Sequence, residues 1–235
     1  MIVRGDSLVW VPANLRASSI PLIINDPPYG KIVKAEWDGS WTMRQQWEMT
    51  AVIRDVLVDG GTAYVWGGIG KYRNRIFFEW LANLERQYSD LQLWDMITWS
   101  KRRAYGTDRR YLFTREECAM IVKGSEPRTF NIPLLDEKRG YPGMNPKYPA
   151  KSEYKRRTNV WTDVSELFSG KIHDCEKPSR LAEIMIETSS NPGETVVDMF
   201  AGSGSTGVAA SKMKRKCILI EKRVECAMHS IPELR

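Results

Sequence analysis

The sequence predicts an α/β protein built on one open, largely parallel sheet, and three observations predict it. Val196-Val197-Asp198 runs through Met199-Phe200-Ala201-Gly202-Ser203-Gly204-Ser205-Thr206-Gly207 into Val208-Ala209-Ala210, which reads as a buried strand, a tight glycine turn and the start of a helix. Ile20-Pro21-Leu22-Ile23-Ile24-Asn25 is a short apolar run cut off by Asp26-Pro27-Pro28-Tyr29-Gly30, the pattern of a strand buried on both faces. Between these two stretches, apolar runs of strand length alternate with segments of helical apolar spacing. At 235 residues the chain is one domain, residues 1–235, with room for a small insertion.

Taken in order, residues 3–6 form a short strand ending at Gly5-Asp6, and residues 20–25 form the buried strand. Residues 31–40 read as a loop. Residues 43–58 carry helical spacing through Trp47, Val52, Val56 and Leu57, and Asp59-Gly60-Gly61 is expected to end that helix. Thr62-Ala63-Tyr64-Val65-Trp66 is the next strand, and residues 73–87 the next amphipathic helix. Residues 91–99 and 116–122 read as strands flanking a basic loop. Residues 124–158 dissolve into prolines, glycines, tyrosines and charges, and a long irregular stretch inside a compact domain is usually functional. Residues 178–190 return to helix, and Cys217-Ile218-Leu219-Ile220 is a last strand ending at Glu221.

Composition narrows the class. Hydrophobic residues make up 42% and charged residues 27%, near globular averages, so disorder is not expected. No apolar stretch approaches the roughly 18 residues of a spanning helix, and the opening residues do not have the pattern of a signal peptide. Cys118, Cys175, Cys217 and Cys226 form no CxxC pair, which fits a reducing cytoplasm and, with only two histidines, no metal site. The net charge of +6 is concentrated in two places. Lys101, Arg102, Arg103, Arg109 and Arg110 form one cluster, and Lys147, Lys151, Lys155, Arg156 and Arg157 the other. Interleaved with Tyr105, Tyr111, Tyr148 and Tyr154, they suit a nucleic-acid backbone with rings available for stacking.

Two stretches carry candidate chemistry. Gly202 and Gly204 let the backbone approach a ligand closely, and a strand–glycine–helix unit is where open α/β sheets hold adenosine-containing cofactors. Asp26 stands at the carboxyl end of its strand, where such sheets place their ligands. Pro27 and Pro28 remove two N–H donors and leave carbonyls able to accept hydrogen bonds.

Together, Asp26-Pro27-Pro28-Tyr29 upstream and Phe200-Ala201-Gly202-Ser203-Gly204 downstream resemble the β class of S-adenosylmethionine-dependent DNA amino-methyltransferases, which act on adenine N6 or cytosine N4. Trp99-Ser100-Lys101, Arg109-Arg110-Tyr111 and Glu116-Glu117 are similar to the family's W-x-K…R-R-Y…E region, and His173-Asp174-Cys175-Glu176-Lys177-Pro178 to its HPTQKP segment. Met199 departs from the usual proline, Ser205 from the frequent threonine, and Asp174-Cys175-Glu176 from the usual interior of the third segment. The resemblance implies a Rossmann-like methyltransferase sheet in circularly rearranged order, with residues 124–160 as a small, irregular target-recognition insertion.

It also implies roles. Asp26, Pro27, Pro28 and Tyr29 form the catalytic set: the Asp26 carboxylate and the Pro27 carbonyl accept both hydrogens of an exocyclic amine, and Tyr29 stacks on a base flipped out of the duplex. The cofactor set is Asp6, Ser7, Asp26, His173, Lys177, Asp198, Phe200, Ala201, Gly202, Ser203, Gly204 and Glu221. Within it Asp6 meets the adenine amine, Phe200 packs near the adenine, and Glu221 binds the ribose hydroxyls. Lys101, Arg102, Arg103, Arg109, Arg110, Lys155, Arg156 and Arg157 are expected to face double-stranded DNA, and a homodimer is plausible for the class. DPPY favours adenine N6 over cytosine N4. RNA or protein methylation and a non-catalytic nucleic-acid-binding module stand as further alternatives.

Overall fold

The apolar run of residues 20–25 becomes β2 (Ile20–Asn25), buried at every position. Its neighbours on either side come from opposite ends of the chain. β9 (Thr195–Asp198) lies parallel on one flank, with Leu22 opposite Val196 and Ile23 opposite Val197. β3 (Leu57–Gly67) lies parallel on the other flank. Beyond β9 come β10 (Lys216–Glu221) and β1 (Ile2–Arg4), both parallel. Beyond β3 come β5 (Phe113–Lys123), β4 (Leu91–Tyr105) and β8 (Val160–Trp161). Among the described residues these eight strands form one sheet in the order β1-β10-β9-β2-β3-β5-β4-β8, in which β5 alone runs against its neighbours. The structure, a computed structural model, describes residues 1–29, 41–68, 75–106, 108–109, 111–140, 152–166 and 177–222.

Helices cover both faces, because side chains alternate across each buried strand. Ile23, Ala63, Val65, Ile121 and Val197 pack against α1 (Ser7–Asn14), α2 (Met43–Val56) and α3 (Ile76–Gln87) through Val11, Met49, Ile53, Phe77, Trp80 and Leu84. Leu22, Ile24, Tyr64, Met120 and Val196 pack on the other face against α4 (Ser179–Ser189) and α5 (Ser205–Lys212). The rearranged order is visible at the edge, where the Met1 ammonium donates to the Cys217 carbonyl at 2.7 Å. β1 thus continues the sheet from the strand that is last in sequence.

Three local expectations are corrected. Asp59-Gly60-Gly61 does not end α2; it lies inside β3, because buried Leu57 already pairs with Ile20 and Gly60 takes φ +69° at an irregularity in the pairing. The basic stretch after Trp99 is not a plain loop. β4 runs on to Tyr105, which pairs with Phe113, so Lys101, Arg102 and Arg103 belong to a hairpin. Within the irregular residues 124–160, β6 (Leu134–Lys138) and β7 (Tyr154–Arg156) pair as a separate two-stranded ribbon.

Candidate active site

The sheet order brings the carboxyl ends of four parallel strands into a row. Asp6 follows β1, Glu221 ends β10, Asp198 ends β9 and Asp26 follows β2. Connections diverge on either side of the β9–β2 pair, which makes it the switch point at which such sheets hold ligands.

On the β9 side the glycine turn is built as its sequence requires. Gly202 has φ +50° and Gly204 φ +85°, and a β-carbon on Gly202 would meet nothing closer than the Phe200 carbonyl at 4.0 Å. The backbone is held open by acids from neighbouring strand ends. Gly202 donates its N–H to Glu221 Oε2 at 2.9 Å, and Phe200 donates to Asp198 Oδ1 at 2.9 Å. Asn25 on β2 accepts from the Met199 N–H at 3.1 Å and donates to its sulfur at 3.3 Å, which ties the two strand ends together across the departure at Met199. Ala201 and Ser203 are buried in the turn, and the Phe200 ring meets Trp41 edge-on at 5.4 Å between centroids. Burial pushes the Asp198 carboxyl up to about 7, against the hydrogen bonds from Thr206 and the Phe200 N–H that favour its charge.

Asp6 caps α1 by accepting from Leu8 N–H at 3.0 Å and pairs with Lys222 at 2.7 Å; Ser7 beside it is buried.

On the β2 side the acceptor residues sit in a chain of alternating charge. Tyr29 donates its hydroxyl to Asp26 Oδ1 at 2.7 Å, and Lys177 donates to Asp26 Oδ2 at 2.5 Å. The same ammonium lies 3.2 Å from Glu116 Oε2, and Lys101 closes the chain by pairing with Glu116. Lys177 also lies over the rings of Tyr29, at 5.3 Å, and Trp66, at 5.2 Å. Burial opposes the Glu116 charge, yet the ammoniums of Lys177 and Lys101 hold its carboxyl down at about 2. Burial likewise disfavours the Lys177 charge, but Asp26 and Glu116 overcome it and raise its pKa above the ordinary lysine value. Burial raises the Tyr29 phenol well above its usual range, reinforced by Asp26 and Glu116, so it stays a donor.

Lys177 was expected with the cofactor, and its place in the structure is beside Asp26. His173 and Arg110 lie outside the described residues, as do Lys147, Tyr148 and Lys151. Two basic residues expected at DNA turn inward instead. Lys101 is engaged with Glu116 and lies 5.1 Å over the Trp99 ring. The Arg157 side chain is 4% exposed, grips Asp163 through two hydrogen bonds of 2.5 and 2.8 Å, and covers Trp161. A guanidinium held this way by a carboxylate and a ring is a packing element, which corrects the expectation for Arg157. Arg102, Arg103, Arg109 and Arg156 remain at the surface, and Lys155 pairs across its ribbon with Glu137.

Sequence reading gave no role to Glu116, although it falls in the W-x-K…E region. Gln46 was missed altogether. Its signal was a polar residue on the buried stripe Gln46, Met49, Thr50, Ile53 and Val56 of α2.

Comparison with known proteins agrees with this architecture. The sequence model of the family called DNA methylase matches residues 20–230. The DNA adenine methyltransferase YhdJ of Escherichia coli (strain K12) is 30% identical over 244 residues, spanning 94% of this chain and 77% of its own. The type II methyltransferase M1.MboII of Moraxella bovis is 26% identical, over 88% of this chain and 86% of its own. Among solved structures, the cytosine-N4-specific PvuII DNA methyltransferase superposes with a TM-score of 0.75 at 20% identity, covering 94% of this chain and 81% of that one. The M1.HpyAVI–SAM complex gives 0.65 at 24% identity, covering 98% and 97%. With an acceptor motif and a glycine turn joined at one switch point and a family match over most of its length, the chain belongs to the DNA methylase family, the S-adenosylmethionine-dependent amino-methyltransferases of adenine N6 and cytosine N4.

Proposed function

We propose that the protein transfers a methyl group from S-adenosylmethionine to the exocyclic N6 of an adenine flipped out of double-stranded DNA. One observation carries the reading: Asp26 and the turn at Gly202 end adjacent, hydrogen-bonded strands, so an amine held at the first lies beside a ligand held at the second. The residues present fit that ligand. A turn with open space above Gly202, the Glu221 carboxylate at the next strand end, and the Phe200–Trp41 edge suit a nucleoside bearing an amino-acid tail. Bound there, S-adenosylmethionine supplies an electrophilic methyl group on a positively charged sulfur.

The chain's own residues prepare the nucleophile. An exocyclic amine is a poor one, because its lone pair is delocalised into the ring. The Asp26 carboxylate and the Pro27 carbonyl accept its two hydrogens, draw nitrogen toward tetrahedral geometry and hold it for in-line attack. Once methylated, the nitrogen carries a proton to lose, and the Asp26 carboxylate already hydrogen-bonded to it is placed to take it. Lys177 and the Tyr29 hydroxyl hold the Asp26 carboxylate in place by one hydrogen bond to each oxygen, leaving lone pairs for the amine.

The DNA lies on the same side. β4 runs parallel to β3, so its distal half, with Arg102 and Arg103, extends past the end of the sheet that carries Asp26. Together with Arg109 and Arg156 these arginines supply phosphate contacts. An aspartate at the head of the acceptor motif and the likeness to an adenine methyltransferase support adenine. The test is nucleoside mass spectrometry of unmethylated mixed-sequence DNA after incubation with S-adenosylmethionine. N6-methyladenine is expected, and its loss in Asp26→Ala with cofactor binding retained. N4-methylcytosine would transfer the reading to the other base, and no methylated base with either would sink it.

A further inference from the structure

Among the described residues, the Gln46 amide has a donor with nothing to donate to. The residue is 2% exposed and lines a recess with Pro27, Pro28, Tyr29, Trp41, Trp66 and Gly67. Its amide oxygen accepts the Trp41 indole N–H at 2.9 Å. An indole nitrogen can only donate, so the amide cannot be turned round: the oxygen faces Trp41 and the NH2 faces elsewhere. Among the described residues, Gln46 Nε2 is the one buried side-chain nitrogen or oxygen that lacks a hydrogen-bond partner. A buried donor left dry costs free energy, and such atoms call for an explanation.

The residue is also rigidly held. Thr42 and Gln45 close a capping box at the start of α2, Gln46 N–H donates to Thr42 O at 3.0 Å, and Thr50 donates to the Gln46 carbonyl at 2.7 Å. The amide is therefore presented at a fixed place beside the acceptor motif.

The position of the recess decides which ligand the donor serves. It spans the carboxyl ends of β2 and β3, across β2 from β9, and no residue of the glycine turn lines it. Its walls come from Pro27, Pro28 and Tyr29 and not from the glycine turn, which favours the group that receives the methyl over the cofactor. We propose that Gln46 reads the flipped base, donating its N–H to the ring nitrogen adjacent to the reacting amine; this rests on the function proposed above.

The chemistry is selective. With its oxygen committed to Trp41, Gln46 offers only a donor, while Asp26 and Pro27 offer only acceptors. Acceptors facing an amine and a donor facing the neighbouring ring nitrogen match adenine at N6 and N1, and cytosine at N4 and N3. Guanine and thymine present a carbonyl beside a ring N–H and mismatch at both places. Gln46 thus admits the two aminated bases on their Watson–Crick edge and rejects the other two.

The experiment compares wild type with Gln46→Met on duplexes carrying adenine, 1-deazaadenine or 7-deazaadenine at the methylated position, by kcat/KM and equilibrium binding. Wild type should lose roughly ten- to a hundredfold on 1-deazaadenine and little on 7-deazaadenine. Gln46→Met should lose the same factor on natural adenine and nothing more on 1-deazaadenine. Gln46→Glu keeps an oxygen for Trp41; its ionised carboxylate puts an acceptor against the ring nitrogen and its protonated form restores a donor, so its kcat/KM relative to wild type should fall as pH rises. Were cytosine the base, 3-deazacytosine takes the place of 1-deazaadenine. An undiminished deaza penalty in Gln46→Met, or a Gln46→Glu enzyme that matches wild type at every pH, would overturn the assignment. A wild type that methylates no DNA would overturn the parent reading, and an active one with uncoupled effects would overturn this inference alone.

Discussion

Replacing Glu116 by glutamine should weaken the fold and the site together, by an amount the geometry sets. Its carboxylate stands between the ammoniums of Lys177 and Lys101, and its side chain is only 19% exposed. Against the penalty of burial, those charges hold its pKa at about 2 instead of 4.5. At 1.36 kcal/mol per pH unit, that depression corresponds to about 3 kcal/mol of folding stability. The cost of breaking a buried pair by removing one partner, about 3–5 kcal/mol, is of the same size. The sign follows from the depressed value: the stabilisation is complete above pH 4.5 and is lost as pH falls through 2. Urea titrations of both proteins at several pH values should therefore show Glu116→Gln less stable by about 3 kcal/mol at pH 7, with the gap closing as pH falls below 4.5. Activity should fall as well, since Lys177 would no longer be held between two carboxylates beside Asp26. A gap at pH 7 under about 1 kcal/mol, or one independent of pH, would refute the electrostatic account.

Other consequences can be measured in the same way. Asp198 is 5% exposed and burial raises it from 3.8 to about 7, so it contributes the opposite slope: stability falls as pH rises from 3.8 toward 7 and then levels. Asp198→Asn should flatten that part of the wild-type profile, and a profile left unchanged would show that the carboxyl is ionised in the native protein. Arg157→Met should cost about 2 kcal/mol in melting experiments, because Asp163 loses both charged hydrogen bonds. It should leave the salt dependence of DNA binding unaltered. Arg156→Ala should do the reverse, changing the slope of log affinity against log salt by about 1 with little effect on stability. Exchanged behaviour of these two arginines would mean that burial misidentifies which of them meets phosphate.

The two ends of the candidate site are local sequence patterns, each built from neighbours in the chain. A buried strand ending at Asp26-Pro27-Pro28-Tyr29 and a strand running into Gly202 and Gly204 are local patterns, whose proline and glycine constraints act within a few residues. The strand-end acid Glu221 was readable for the same reason. Gly60-Gly61 was misread by that logic: glycines end helices, but here burial of Leu57 and its pairing with Ile20 had already begun a strand. Charge misled similarly. Lys101 and Arg157 look like their neighbours in a basic run, and only burial against Glu116 and Asp163 separates them from the exposed Arg102 and Arg156.

By itself, then, the sequence determined most of the elements, the Asp26–Tyr29 motif, the glycine turn and the family they point to. The tertiary structure decided what depends on partners far apart in the chain: that β9 lies beside β2, that Lys177 sits between Asp26 and Glu116, and that the Gln46 amide is committed on one side and open on the other. The division has a physical cause. Backbone preference is set by adjacent residues, whereas desolvation, ion pairing and hydrogen-bond saturation exist only once distant segments are packed together.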